Sequence, residues 1–284
     1  MAPSPPPSLG RLRFASPADI TRIGIVSFYG FLHSSVFGWE RPYHAEFPKD
    51  AVLSYCHVFS SFIKSHEHIV LVATDKFDPN EGETTKAIIP ANDACPEPKP
   101  EDEVVVGVAC WKLSPESERK GSFQNDNAPY PKLPENRKRD MHEEHCDALE
   151  ECCQAAEKRY FQGPAYTLEM VVVHPAYQKR GHGRRLVQWG MDLATKDKVG
   201  VGVIAAGKGK SLYGSLGFEK LGDLPFEGLG LSVMQYRANP LRLHLWLFTG
   251  FVLLILLASV FGLVCSQPMM KYRLFRTCSF YRMS

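Results

Sequence analysis

Apolar positions along this chain recur at two spacings, every second residue and every third or fourth, and the changes between them mark out its elements. Arg11 to Ala15 alternates as a short strand. Ser16-Pro17-Ala18-Asp19 then offers an N-cap and a proline at the first helical position, which predicts a helix to about His33. Between Lys49 and Lys64, the residues Val52, Tyr55, Cys56, Phe59 and Ile63 fall three and four apart and predict a helix with one buried stripe. His68 to Thr74 and Glu103 to Leu113 are valine-rich and read as strands, separated by a loop insertion at about 75–103 whose second half is acidic and proline-rich. A second insertion, 114–138, precedes a predicted helix from Arg139 to Tyr160.

From Ala165 the pattern tightens into a valine strand, a turn rich in Gly and Arg, and an amphipathic helix carrying Leu186, Trp189, Gly190 and Leu193. A second strand, Val199 to Ala205, another glycine turn and a short helix follow. The alternation predicts an α/β fold in which strands and helices share one core.

The two ends behave differently. Residues 1–10, with four prolines in the first seven positions, predict a disordered leader with neither the basic nor the apolar region of a secretory signal. Leu245 to Cys265 holds 17 apolar side chains in 21 positions and no charge, long enough at about 1.5 Å per residue to cross a bilayer core. A single transmembrane helix over 243–265, followed by a basic tail over 266–284, is therefore expected, with a buried terminal helix as the other reading. The absence of a signal favours a cytosolic catalytic domain anchored to a membrane, although the basic residues after the span argue for the opposite orientation; a soluble cytoplasmic protein is the alternative.

Charge and cysteine content narrow the partners. The net charge is +2, yet all six ionised side chains from Arg237 onward are basic, leaving −4 on residues 1–236 and no bulk attraction to nucleic acid. Eight scattered cysteines without a CxxC pair fit a reducing compartment.

The chemistry concentrates between Tyr166 and Phe218. Leu168 to His174 is a strand that stops at Pro175, and Gln178-Lys179-Arg180-Gly181-His182-Gly183-Arg184 then turns into a helix. Two glycines admit a ligand close to the backbone, and the unpaired amides of a helix start can hold a pyrophosphate. Further on stands Leu212-Tyr213-Gly214-Ser215-Leu216-Gly217-Phe218. With these two segments in this order, the sequence resembles the GNAT superfamily of N-acetyltransferases, whose acetyl-CoA loop reads Gln/Arg-x-x-Gly-x-Gly/Ala and whose later helix places a tyrosine just before Gly-Phe. The resemblance runs from about Arg11 to Arg237, is strongest from Tyr166 to Phe218, and is nearest in character to fungal members.

That resemblance implies a mixed, mostly antiparallel sheet flanked by helices, in an N-acetyltransferase domain over 11–237. It implies acetyl-CoA as co-substrate, a primary amine on a small molecule or peptide as acceptor, and direct attack on the thioester without a metal. Residue by residue, it assigns the pantetheine arm to the backbone of Val171, Val172 and Val173, and the pyrophosphate to Gln178, Lys179, Arg180, Gly181, His182, Gly183 and Arg184. It makes Tyr213 the acid that protonates the departing thiolate, a task suited to a phenol of pKa about 10; a core tyrosine is the other reading. Glu169, expected to share a face with Val171 and Val173, is the candidate base, or else an ion-paired glutamate. Ala206 departs from the Asn or Ser that many members place near the cofactor arm, so a membrane-tethered acyl-CoA-binding protein without catalysis is the alternative function.

Other patterns yield less. Gly202 to Lys208 has Walker A spacing but Gly209 stands where a Ser or Thr must hold magnesium, and Gly200-x-Gly202-x-x-Ala205 falls inside a strand instead of the turn after it. His142, His145 and Cys146 lack a fourth ligand and read as a solvated helix face. Phe28, Tyr29, Phe31, Phe37, Trp39 and Tyr43 either pack a core or line an acceptor pocket.

Overall fold

The computed structural model describes residues 3–84 and 98–237. The chain divides into two units, Met1–Ala238 and Asn239–Ser284, and the description concerns the first. Its elements run β1 (Leu12–Phe14), α1 (Ile20–Phe31), α2 (Ser35–Glu40), α3 (Pro48–Lys64), β2 (His68–Lys76), β3 (Glu103–Lys112), α4 (Glu143–Tyr160), β4 (Ala165–Val173), α5 (His182–Lys196), β5 (Gly200–Ala205), α6 (Gly209–Ser215), β6 (Glu219–Asp223) and β7 (Ser232–Tyr236). One seven-stranded sheet has the order β1-β2-β3-β4-β5-β7-β6. Every neighbouring pair is antiparallel except β4 and β5. The mixed, mostly antiparallel sheet expected from the sequence is therefore present.

Alternation along the strands sorts side chains onto two faces. Ile69, Leu71, Trp111, Leu168 and Val203 join Leu186, Val187 and Leu193 of α5 in one cluster. On the opposite face Val70, Val72, Val108, Cys110 and Val172 pack against α1 and α3. There too, Ile204 and Val233 meet Leu149 and Ala156 of α4 and the loop residues Leu224, Leu229 and Leu231. The helices sit close where glycine allows it: a Cβ on Gly190 of α5 would stand 2.2 Å from the Trp111 ring, and one on Gly30 of α1 2.0 Å from Val172.

The feature that positions the site is a splay. The β4–β5 ladder runs from Ala165↔Gly200 to Leu168↔Val203 and stops, while β4 continues to Val173 paired with β3 alone and β5 continues to Ala205 paired with β7. A bulge lies at the same point: Cys110 pairs with Met170 and Trp111 with Leu168, so Glu169 is the extra residue on β4.

Two readings of the sequence change. Residues 3–10 are laid along α5 instead of hanging free. Arg119 Nη2 donates to the Ser4 carbonyl at 2.7 Å, Lys196 Nζ to that of Pro5 at 3.1 Å and Trp189 Nε1 to that of Pro7 at 3.2 Å. Proline lacks an N–H but leaves these carbonyls as acceptors, which long side chains reach. The helix α2 and the hairpin strands β6 and β7, too short for a periodic signal, are additions. The expected span Leu245 to Cys265 and the tail after it lie outside the described residues, among which no helix is long and apolar enough to cross a membrane.

Candidate active site

The turn after β4 is shaped by its own residues and braced from a distance. Pro175–Tyr177 forms one helical turn, Lys179 takes φ +62°, and Gly181 takes φ +84° as the N-cap of α5. The first intrahelical bond is Arg185 N to Gly181 O at 3.1 Å, and among the described residues no group of the chain accepts from the six amides of 179–184. Those amides, the positive end of α5 and the exposed side chains of Lys179, Arg180 and Arg184 belong to one turn.

Asp75 at the end of β2 fixes that turn. It accepts from His182 Nε2 at 3.0 Å and from Arg180 Nη1 at 3.2 Å. Burial works against the Asp75 carboxylate, but these bonds and that from the Lys76 amide outweigh it and hold its pKa below the ordinary value. Burial lowers the pKa of His182 in spite of Asp75, so its ring is neutral: Nε2–H donates to Asp75 while Nδ1 accepts from Arg185 Nη2 at 2.8 Å. The side chain of His182 thus faces inward, 5% exposed, and only its amide is open to a ligand. Tyr177, fully buried, ties the same turn to the chain beyond β2, accepting from the Asp78 amide at 2.8 Å and donating to Glu81 Oε2 at 2.9 Å. Arg22 of α1 holds Glu81 in a two-pronged pair at 2.5 and 2.7 Å. Asp75, Tyr177 and Glu81 were not legible as site residues, because their partners across the turn lie about a hundred positions away in the chain.

Val171, Val172 and Val173 lie on the splayed part of β4, with no strand beside them on the β5 side. Glu169 sits at the mouth of the splay, one residue past the last β4–β5 pair. It does not share a face with Val171 and Val173, as strict alternation requires: the bulge turns it to the α1–α3 face, where its carboxylate meets Cys110 and His68, with Lys112 Nζ 3.8 Å from Oε1. Tyr213 of α6 lies on the other face, 5% exposed, its ring 5.5 Å from Phe218. No described group hydrogen-bonds its hydroxyl, and burial alone raises the phenol well above its ordinary pKa. Arg184 Nη2 donates to Ser215 Oγ at 3.0 Å and joins the basic turn to this helix.

His142, the N-cap of α4, and His145 within it are not a solvated face. His145 stacks on Trp39 at 4.1 Å and on His142 at 3.9 Å, and its Nδ1 lies 2.8 Å from the Trp39 carbonyl. Of the early aromatics, Phe28, Tyr29 and Phe37 are core, Phe31 stacks on Tyr55, and Tyr43 is exposed. Ala206 packs against the α4 cluster. The described cysteines Cys56, Cys110, Cys146, Cys152 and Cys153 are all free thiols.

The family model described as an acetyltransferase (GNAT) domain matches residues 144–220, which span α4 to the start of β6. An acetyltransferase of Stachybotrys chartarum is 33% identical over 230 residues, covering 79% of this chain and 87% of that protein. Among solved structures, a Corynebacterium glutamicum protein described as histone acetyltransferase HPA2 and related acetyltransferase aligns at 18% identity and TM-score 0.46, over 81% of this chain and 97% of that one. The paia N-acetyltransferase of Thermoplasma acidophilum, solved in complex with coenzyme A, aligns at 11% identity and TM-score 0.38, over 80% and 97%. On the strength of the identity to the Stachybotrys protein and the matched domain, this chain belongs to the GNAT acetyltransferase family and is an acetyltransferase enzyme.

Proposed function

We propose that the enzyme transfers the acetyl group of acetyl-CoA to a primary amine on a small molecule or peptide by direct attack on the thioester. The observation that carries this reading is the row of six unpaired amides over 179–184 at the start of α5, beside a strand edge left open by the splay. The amides and Gln178, Lys179, Arg180 and Arg184 would take the pyrophosphate, and the free edge of Val171 to Val173 would pair with the amide groups of the pantetheine arm. Such pairing would bring the thioester to the mouth of the splay, between Glu169 on one face and α6 with Tyr213 on the other. The neutral amine then attacks the carbonyl carbon, its surplus proton passes to Glu169, and the C–S bond breaks as the Tyr213 phenol protonates the thiolate. The apolar segment Leu245 to Cys265 keeps, on its sequence alone, the reading of a single span with this domain in the cytosol, and a full-length protein released by alkaline carbonate would overturn it.

The reading is tested by calorimetry of acetyl-CoA with the full-length protein, followed by thiol release across a panel of small amines and peptide N-termini. Binding together with amine-dependent thiol release is expected. Binding without release for any amine would reduce the protein to an acyl-CoA binder, and absence of binding would remove the reading.

A further inference from the structure

Three donors of different elements meet at the β4 bulge. His68 Nε2 lies 3.3 Å and Cys110 Sγ 3.9 Å from the same oxygen, Glu169 Oε2, and the three donor atoms all lie within 4.8 Å of one another. We propose that His68, Cys110 and Glu169 bind one zinc-class divalent ion, with a fourth position left for solvent.

The donor set fits such an ion. Bond lengths of about 2.3 Å to sulfur and 2.0 to 2.2 Å to nitrogen and oxygen place tetrahedral donors about 3.4 to 3.6 Å apart. The two separations to Oε2 bracket that range, while Nε2 and Sγ, within 4.8 Å of each other, close by up to about 1.2 Å when both bind the ion. The groups around the donors already hold them. His68 Nδ1 lies 2.7 Å from Ser65 Oγ, and its ring stacks on Phe62 at 4.6 Å. A hydroxyl serves both states: it donates to Nδ1 while Nε2 carries the proton, and accepts from Nδ1–H once Nε2 takes a metal. Lys112 pairs with Oε1 and leaves Oε2 toward the sulfur and the imidazole. Entry is from the Glu169 side, since Glu169 is 22% exposed, His68 13%, and Cys110 not at all. Binding displaces the Cys110 thiol proton to solvent, so affinity rises with pH.

Three protein ligands and an open position suit an ion that comes and goes better than a closed structural centre. An ion on Oε2 also occupies the carboxylate assigned as base, so zinc should inhibit acetyl transfer. That consequence rests on the functional reading above; the binding does not.

Cobalt titration of the reduced full-length protein is the test, because a thiolate ligand gives a near-ultraviolet charge-transfer band and a tetrahedral site gives intense visible bands. One equivalent should produce both, and zinc should displace it. Cys110→Ala should abolish the charge-transfer band, His68→Asn should weaken affinity at least about tenfold, and the paired Cys152→Ser and Cys153→Ser changes should leave the band intact. No band in the wild type, a band surviving Cys110→Ala, or unchanged affinity in His68→Asn overturns the site. Should Cys110→Ala fail to fold, His68→Asn decides alone. Cobalt binding at these residues without zinc inhibition would keep the site and remove Glu169 as the base.

Discussion

Tyr213 is held in the state its assigned role requires. Burial, with no opposing charge, pushes its pKa above the ordinary 10, so the phenol keeps its proton throughout the neutral and mildly alkaline range. Tyr213→Phe retains the ring that packs on Phe218 and removes the proton; turnover should fall about 10²-fold while acetyl-CoA affinity by calorimetry stays within about twofold. The wild type should show no alkaline loss attributable to this group below pH about 10. Unchanged turnover in the variant, measured in a single-turnover assay, would mean that water supplies the proton. Glu169 invites a complementary measurement. Glu169→Gln keeps the shape and removes the base, so kcat/KM should drop and then recover as pH rises, tracking the fraction of acceptor already neutral. A variant whose pH profile parallels the wild type would remove Glu169 from proton transfer.

Within elements, the two glycines of the basic turn do different work. Gly181 takes φ +84°, where an L side chain is strained, whereas a Cβ on Gly183 would meet Val173 and Leu212 at 3.7 and 3.8 Å, an ordinary contact. Gly181→Ala should therefore cost about 1 to 2 kcal/mol in chemical denaturation and weaken acetyl-CoA binding. Gly183→Ala should alter both little, and Gly183→Trp should abolish binding while leaving the denaturation midpoint nearly in place. Equal effects of the two alanine changes would contradict the assigned roles. The turn was legible in the sequence because its glycines, its charges and the helix start are neighbours in the chain. Its brace was not, since Asp75 reaches Arg180 and His182 only through the sheet. Glu169 shows the same limit at strand level: alternation places a side chain correctly until a bulge inserts one residue, and β4 carries its bulge at the position where the face of the side chain matters most.

At the scale of the molecule, the long periodic helices and the four valine-rich strands were legible, while α2, β6 and β7 were too short to leave a period and take their structure from the sheet and helices they join. The proline-rich start read as disordered because its order comes from Arg119, Trp189 and Lys196, all far along the chain. The same joining of distant segments sets the response to acid. His174, fully buried between the Tyr29 and Tyr177 rings, accepts from the Ala176 amide through Nδ1, and its Nε2 has no partner among the described residues. Burial lowers its pKa from 6.5 to about 4, with Glu81 and Asp78 opposing and Arg22 assisting. In the unfolded chain the ring takes a proton as pH falls through 6.5, whereas the folded chain refuses it until about 4, so the contribution to stability is present above 6.5 and is lost across that interval. The slope from this single group approaches about 1.4 kcal/mol per pH unit. Glu40 and Glu157 act in the opposite sense, because burial raises their pKa and protonation favours the folded state. Asp50, held down by Arg139, and Asp19, where Arg13 and Ser16 outweigh burial, add their loss only as pH falls below the ordinary 3.8 of an aspartate. His174→Gln removes one titration and leaves the others, so denaturation midpoints of the variant and the wild type, compared at steps from pH 7 to pH 4, isolate it. The wild type should lose stability faster than the variant by close to one proton's slope between pH 6.5 and about 4. Parallel curves would mean that His174 charges in the folded protein as readily as in the unfolded chain, and that the turn after β4 opens to water more than its burial indicates.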